Sequence, residues 1–224
     1  MKAVFLDSGG VITRLQAPKP DIFLEASRES GIDLPRSRAE AAFRSTEAML
    51  RANQDLFLSD YPQYRARYMD VLRAEAGLGS DLEEVYDVYM RLLQSPRFRS
   101  LHGDVLPTLR TLRDAGLKLG VLSNASKELI PLLFQLGIAP YFDAIIVSQL
   151  VGYEKPQREI FLDGLEALEV SPEEAAHVGD SYHYDYLGAT QVGMTAILLD
   201  RAGSSRMNVS KVRSLYELPE ALNL

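Results

Sequence analysis

Short runs of apolar residues, rich in Val and Ile, recur along the chain and predict buried strands. These runs lie at 3–6, 117–122, 144–147, 175–178 and 195–199. Amphipathic helical patterns separate the last four, at 126–136, 157–168 and 184–192. Because strands that alternate with helices form βαβ units, the pattern predicts an α/β fold with a doubly wound, mostly parallel sheet.

A long stretch without a convincing strand separates the first two predicted strands. Helical patterns fill it at 21–31, 37–53, 61–76 and 81–93. A gap of this length is not a plain crossover between two strands. We therefore expect an α-helical domain inserted at about 14–100, and an α/β core formed by 1–13 and 101–224.

The amino-acid composition of the chain speaks against several classes of function. The chain has 224 residues, of which 46% are hydrophobic and 25% charged, as in folded globular proteins. Its net charge of −7, without a cluster of basic residues, speaks against nucleic-acid binding. The absence of cysteine excludes disulfides and thiolate metal ligands.

The hydrophobic stretches are too short for membrane or export segments. No run approaches the ~20 apolar residues of a membrane span, and the apolar run after Met1 is too short for a signal peptide. Cytoplasmic location is therefore the default expectation, and the oligomeric state stays open.

Polar side chains follow the first four predicted strands of the core. Asp7 follows the first strand, Ser123 the second, Lys155 the third at some distance, and Asp180 the fourth, with Asp185 five residues further on. In a parallel sheet the carboxyl ends of the strands meet at one edge, so we expect these groups to converge. Carboxylates with substrate phosphate oxygens suit Mg²⁺, and a lysine neutralises phosphate charge. The set predicts phosphoryl transfer through an aspartyl-phosphate.

These four segments resemble, in order and spacing, the four motifs of the haloacid dehalogenase (HAD) superfamily. The helical insert is similar in position to the cap of subfamily I, and GDSYHYDYLGA resembles its phosphatase-type members. The resemblance implies a Rossmann-like core with a helical cap and a Mg²⁺-dependent phosphoric monoester hydrolase acting on a small phosphorylated substrate. It implies Asp7 as nucleophile, substrate binding by Ser123, Asn124 and Lys155, and metal binding by Asp7, Gly9, Asp180 and Asp185.

The first motif departs from the family pattern Asp-x-Asp-Gly-Thr. Here it reads Asp7-Ser8-Gly9-Gly10-Val11, so the second aspartate is missing. In the family, that side chain protonates the leaving group and then activates water, while its backbone carbonyl binds the metal. Gly9 keeps the carbonyl and loses the general acid/base, which is worth roughly 10²–10⁴ in rate. A substitute could come from His183, from Tyr182, from the cap or from the substrate, whereas His177 is expected to be a core residue.

Three alternatives remain at the level of sequence. A phosphonatase needs a cap lysine, and the insert contains only Lys19. A haloacid dehalogenase carries an aromatic residue where Gly9 stands, and it needs no metal. The third alternative is a catalytically weak or non-catalytic module that binds a phosphorylated ligand or a protein.

Overall fold

The computed structural model describes residues 1–53 and 60–224. The chain divides into two compact units. The first combines Met1–Leu15 with Arg99–Leu224, and the second is Gln16–Phe98. The insert as predicted, 14–100, includes residues 54–59, which lie outside the described residues.

Six of the strands form one parallel sheet in the first unit. The strands in chain order are β1 Ala3–Leu6, β2 Thr13–Leu15, β3 Arg99–Leu101, β4 Lys118–Ser123, β5 Ala144–Val147, β6 Ala175–Gly179, β7 Thr195–Leu199 and β8 Lys211–Val212. The sheet order is β5-β4-β1-β6-β7-β8, and each neighbouring pair is parallel. The predicted parallel sheet is confirmed, with β8 as an additional edge strand.

Helices connect these strands and form most of the second unit. In chain order they are α1 Lys19–Glu29, α2 Arg36–Ala52, α3 Tyr61–Ala76, α4 Leu82–Leu92, α5 Val105–Asp114, α6 Leu129–Gln135, α7 Ser148–Val151, α8 Arg158–Leu168, α9 Gly188–Gln191 and α10 Leu218–Ala221. No helix within the described ranges is long and apolar enough to cross a bilayer.

The sheet carries an apolar core on each face. Side chains alternate along β1, so that Val4 and Leu6 join one cluster while Ala3 and Phe5 join the other. The first cluster packs against α5, α6 and α10, and the second packs against α8. Helices therefore cover both faces, which confirms the predicted doubly wound α/β fold.

The second unit is built from α1 to α4. Helix α2 packs on α3, and α1 packs on α4. Phe23, Phe43 and Tyr89 form an aromatic cluster with ring centroids 5.5–5.7 Å apart. This unit has its own apolar core, and its role as a cap stays a prediction.

Two local expectations were wrong. The short strands β2 and β3 pair antiparallel at the two ends of the insert, where no strand was predicted. Three residues are too few to show a periodic pattern, and the pairing joins segments far apart in sequence. The region 184–192, predicted as one helix, is a π-helix at Tyr182–Leu187 followed by α9.

Candidate active site

The carboxyl ends of three adjacent strands carry the predicted polar residues. Asp7 directly follows β1, Ser123 ends β4, and Asp180 directly follows β6. Strand β1 lies between the other two in the sheet, so the three tips are neighbours. The backbone N–H of Asp7 donates to the carbonyl of Val178 at 2.9 Å and extends the β1–β6 ladder to the candidate nucleophile.

Three carboxylates converge at this edge. Asp7, Asp180 and Asp185 each offer one oxygen, and these oxygens all lie within 4.8 Å of one another. Asp7 and Asp185 are buried, whereas Asp180 is exposed. The π-helix turns Asp185 back toward the β6 tip, where its Oδ2 accepts the Ser181 N–H at 3.0 Å.

A buried lysine bridges two of these carboxylates. The Lys155 Nζ lies 2.7 Å from Asp7 Oδ1 and 2.5 Å from Asp185 Oδ1, and the residue is 2% exposed. Burial alone would lower the pKa of Lys155, but the charges of Asp185 and Asp7 outweigh it and raise the pKa above its ordinary value. Burial would likewise raise the pKa of Asp185, and the Lys155 charge together with the His177 hydrogen bond lowers it. Lys155 is therefore a fixed positive charge beside the candidate nucleophile.

Asn124 fixes the loop that carries this lysine. Its side-chain amide donates to the Lys155 carbonyl at 2.8 Å, and its Oδ1 accepts the Lys155 N–H at 2.6 Å. Both ends of the amide thus engage the Lys155 backbone, which gives Asn124 a positioning role. Its contact with substrate stays a prediction, as do the roles proposed for Ser123 and the Gly9 carbonyl.

His177 lies in the core, as expected, yet it also touches the site. Its Nε2 is 2.9 Å from Asp185 Oδ1, and its ring packs edge-on against Phe161. Burial lowers the pKa of His177 and so favours the neutral ring, although the hydrogen bond that Nε2 donates to the Asp185 carboxylate opposes the shift. The sequence missed this contact, although alternation along β6 separates His177 from the apolar face of Ala176 and Val178.

Two glycines leave room for the acidic side chains. A Cβ atom on Gly10 would lie 2.0 Å from Asp180 Oδ2, and Gly10 has φ +76°, in the left-handed region. A Cβ atom on Gly179 would lie 2.0 Å from the Asp185 Cγ. Both residues are glycine because a carboxylate packs directly against the backbone.

An arginine that the sequence did not single out lies beside Gly9. A Cβ atom on Gly9 would lie 3.2 Å from Nη1 of Arg99. Nη1 donates to Thr13 Oγ1 at 2.9 Å, and the Thr13 hydroxyl donates to the Ser8 carbonyl at 3.2 Å. Arg99 is one of many arginines near the insert, and no local pattern distinguishes it.

A second arginine holds the segment after Gly9. Arg201 donates from Nε to the Gly10 carbonyl at 3.0 Å and from Nη2 to the Val11 carbonyl at 2.9 Å. The same guanidinium binds both carboxylate oxygens of Asp104, at 2.7 and 3.0 Å. No local pattern in the sequence indicates this pair either, because its members are far apart along the chain.

The other candidate acids form an aromatic group. Tyr182 stacks on Tyr186 with ring centroids 5.7 Å apart and meets the ring of His183 edge-on at 5.4 Å. Burial lowers the pKa of His183. Proton transfer by Tyr182 or His183 stays a prediction.

The donor set fits a hard divalent cation. Three carboxylates converge with the Lys155 ammonium at this edge, and the ligand atoms that the carboxylates offer are oxygens. Mg²⁺ prefers one or two carboxylates together with water and substrate oxygens. Asp7, Asp180 and Asp185 are the side chains that would hold it.

Comparison with known proteins agrees with this fold. The sequence profile of the haloacid dehalogenase-like hydrolases matches residues 1–193, and the chain belongs to this family. A human protein, haloacid dehalogenase-like hydrolase domain-containing protein 3, is 30% identical over 86% of this chain and 79% of its own. Glyceraldehyde 3-phosphate phosphatase of Methanopyrus kandleri is 32% identical over 70% of this chain and 68% of its own.

A solved structure agrees over nearly the full length. The HAD phosphatase from Thermococcus onnurineus superposes with a TM-score of 0.68 and 31% identity, covering 99% of this chain and 98% of its own. The predicted family and the hydrolase class are thereby confirmed.

Proposed function

We propose that this hydrolase is a Mg²⁺-dependent phosphatase that cleaves a small phosphorylated molecule through an aspartyl-phosphate on Asp7. The observation that carries the proposal is the placement of Asp7 at the β1 tip, 2.7 Å from Lys155 Nζ and clustered with Asp180 and Asp185. The phosphatases among its relatives support a phosphate ester as substrate.

In the first half-reaction, a carboxylate oxygen of Asp7 attacks phosphorus. A bond forms between Asp7 and phosphorus, the bond from phosphorus to the leaving oxygen breaks, and the electron pair of that bond stays on the leaving oxygen. In the second, water attacks the phosphorus of the aspartyl-phosphate and releases inorganic phosphate with a free Asp7 carboxylate. The sum is an alcohol and phosphate from an ester and water.

An anionic ester repels a carboxylate nucleophile, and a fixed positive charge between them offsets this repulsion. The Lys155 ammonium is already hydrogen-bonded to Asp7 and cannot rotate away, since it also binds Asp185. It would stabilise the phosphoryl oxygens without reorganising during the reaction. Bound Mg²⁺ would supply further neutralisation of phosphate charge.

Neighbouring residues keep these groups in place. Neutral His177 donates to Asp185, and Asn124 holds the Lys155 backbone from both sides. We expect both to act through position, because neither needs to exchange a proton with substrate.

The test is hydrolysis of 4-nitrophenyl phosphate by the purified full chain, with Mg²⁺ and with excess chelator. An aryl leaving group needs little protonation, so the absence of a carboxyl at Gly9 matters least there. We expect Mg²⁺-dependent turnover that Asp7→Asn abolishes and the matched variant Asp114→Asn, at an exposed residue at the end of α5, leaves intact. Folded protein without turnover above Asp7→Asn would contradict the proposal and favour a binding module.

A further inference from the structure

Arg99 is a buried arginine held against the segment that follows the candidate nucleophile. The residue is 8% exposed, and its Nη1 is anchored on Thr13 Oγ1 at 2.9 Å. Thr13 in turn contacts the Ser8 carbonyl through both its backbone N–H, at 2.8 Å, and its hydroxyl, at 3.2 Å. The guanidinium therefore has a fixed place relative to residues 7–9.

The guanidinium lies next to the position of the missing side chain. A Cβ atom on Gly9 would lie 3.2 Å from Nη1, 3.6 Å from Nη2 and 3.9 Å from Cζ of Arg99. Gly9 is not in the left-handed region, so its backbone does not demand glycine. The two nitrogens Nη1 and Nη2 lie nearer to that position than Cζ does, so the donor edge of the guanidinium points toward Gly9.

We propose that Arg99 is a catalytic residue that donates a hydrogen bond to the leaving oxygen of the phosphate ester. This inference rests on the proposed phosphatase function and names the group that takes the place of a proton donor. Gly9 is then a means of giving the guanidinium access to the substrate two residues from Asp7.

The chemistry is charge stabilisation and not proton transfer. An arginine keeps its proton at all relevant pH values, because its pKa exceeds 12. When Asp7 attacks and the phosphorus–oxygen bond breaks, the leaving oxygen becomes negative, and the Arg99 N–H would stabilise it until it takes a proton from solvent water. Such a donor, fixed in advance, is typically worth about 10²–10³ in rate.

A substrate preference follows from this arrangement. A leaving oxygen that is stabilised but not protonated departs fastest from weakly basic leaving groups. We therefore expect aryl and acyl phosphates to be better substrates than simple alkyl phosphates.

The experiment measures kcat/KM for aryl phosphates whose phenols span pKa values of about 5 to 10, with the full chain and saturating Mg²⁺. This parameter reports the step in which the ester bond breaks. In Arg99→Gln we expect a loss of about 10²–10³-fold for the most basic leaving group and a much smaller loss for the least basic. The plot of log kcat/KM against leaving-group pKa becomes steeper.

A purely structural role would give a different result. Arg14→Gln removes the contact of the exposed Arg14 side chain with Ser100 across the same β2–β3 ribbon and leaves Arg99 on Thr13, so it serves as the comparison for disturbance of the ribbon. We expect it to lower kcat/KM by a similar small factor for all esters, with the slope of the wild type. A slope for Arg99→Gln parallel to that of the wild type would overturn the proposal.

A second variant covers the case in which Arg99→Gln does not fold. Arg99→Lys keeps the positive charge but has a shorter reach and no planar pair of donors. We expect a slope between those of the wild type and Arg99→Gln, and an unchanged slope would again overturn the proposal. If the slopes are parallel and turnover depends on Asp7, only the proposed role of Arg99 is wrong. If the wild-type protein shows no turnover, the proposed phosphatase function is wrong as well.

Discussion

Gly10 combines two constraints that its neighbours do not share. Its φ of +76° is costly for any other residue, and a Cβ atom there would meet the Asp180 carboxylate at 2.0 Å. We expect Gly10→Ala to destabilise the fold by more than the ~1–2 kcal/mol that the left-handed conformation alone costs. It should also weaken the activation of aryl phosphate hydrolysis by Mg²⁺, because Asp180 must move.

Gly116 offers a matched control within the same unit. Its φ is +80°, yet a Cβ atom there would have no neighbour within 4 Å. Urea denaturation of Gly116→Ala therefore measures the backbone cost alone, and its Mg²⁺ activation should equal that of the wild type. Equal destabilisation and equal Mg²⁺ activation in the two variants would show that the position of the Asp180 carboxylate does not depend on Gly10.

The ion pair of Arg201 and Asp104 connects the end of β7 and the start of α5 to the first motif. Arg201 follows β7 closely and Asp104 directly precedes α5, so the pair ties both to the Gly10 and Val11 carbonyls. Asp104 also accepts hydrogen bonds from the Ser214 hydroxyl and the Leu215 N–H, at 2.8 and 2.9 Å. Burial alone would raise the pKa of Asp104, but the Arg201 hydrogen bonds and these donors lower it to about 2.

This shift predicts a pH dependence of stability. The ordinary aspartate pKa is about 4, so the unfolded chain binds this proton more readily than the folded protein does. The stabilisation by Asp104 is therefore complete above about pH 4 and is lost as pH falls toward 2. We expect the difference in free energy of unfolding between the wild type and Asp104→Asn to be largest at pH 5 and to shrink between pH 4 and 2.

Urea denaturation at a series of pH values provides the measurement. Asp114→Asn, an exposed aspartate at the end of α5, is the control, and its difference from the wild type should stay small throughout. A difference for Asp104→Asn that does not change with pH would mean that the carboxylate charge of Asp104 contributes nothing, and that only its hydrogen-bond geometry matters.

At the scale of elements, the sequence predicted those strands whose positions depend on a local pattern of apolar residues. Strands β1, β4, β5, β6 and β7 lie where the apolar runs are, since each run is long enough to show its period. The β2–β3 ribbon was missed, because three residues carry no period and pairing across an insert leaves no local mark. The segment Ser171-Pro172-Glu173-Glu174 has the capping-box pattern that is typical of a helix start, and it forms that box. It nevertheless starts only a 3₁₀ turn, because β6 begins at Ala175.

The candidate site likewise has one part that the sequence predicts and one part that it does not. The placement of Asp7, Lys155, Asp180 and Asp185 at one edge follows from the rule that parallel strands end together, and the rule needs only the order of the elements. Arg99, Arg201 and the contact of His177 with Asp185 depend on where side chains point in three dimensions. Pattern along the chain cannot distinguish these residues from others of their type.

At the scale of the whole molecule, the proposed metal site links binding to folding. The oxygens of Asp7, Asp180 and Asp185 are brought within 4.8 Å of one another only in the folded protein, because Asp7 lies far from the other two in the sequence. A cation that binds the folded form alone stabilises it by about 2.7 kcal/mol at a concentration one hundred times its Kd. For a chain of this size, that corresponds to a rise in Tm of about 5–10 °C.

We expect Mg²⁺ to raise Tm by this amount in the wild type and chelator to reverse the rise. Asp180→Asn is the informative variant, because Asp180 is exposed and the substitution removes the charge without changing the size of the side chain. It should fold with a Tm close to that of the chelated wild type and respond weakly to Mg²⁺, whereas Asp114→Asn should respond fully. If Asp180→Asn gained as much stability from Mg²⁺ as the wild type does, the cation would bind elsewhere. The convergence of the three carboxylates at this edge would then need another explanation.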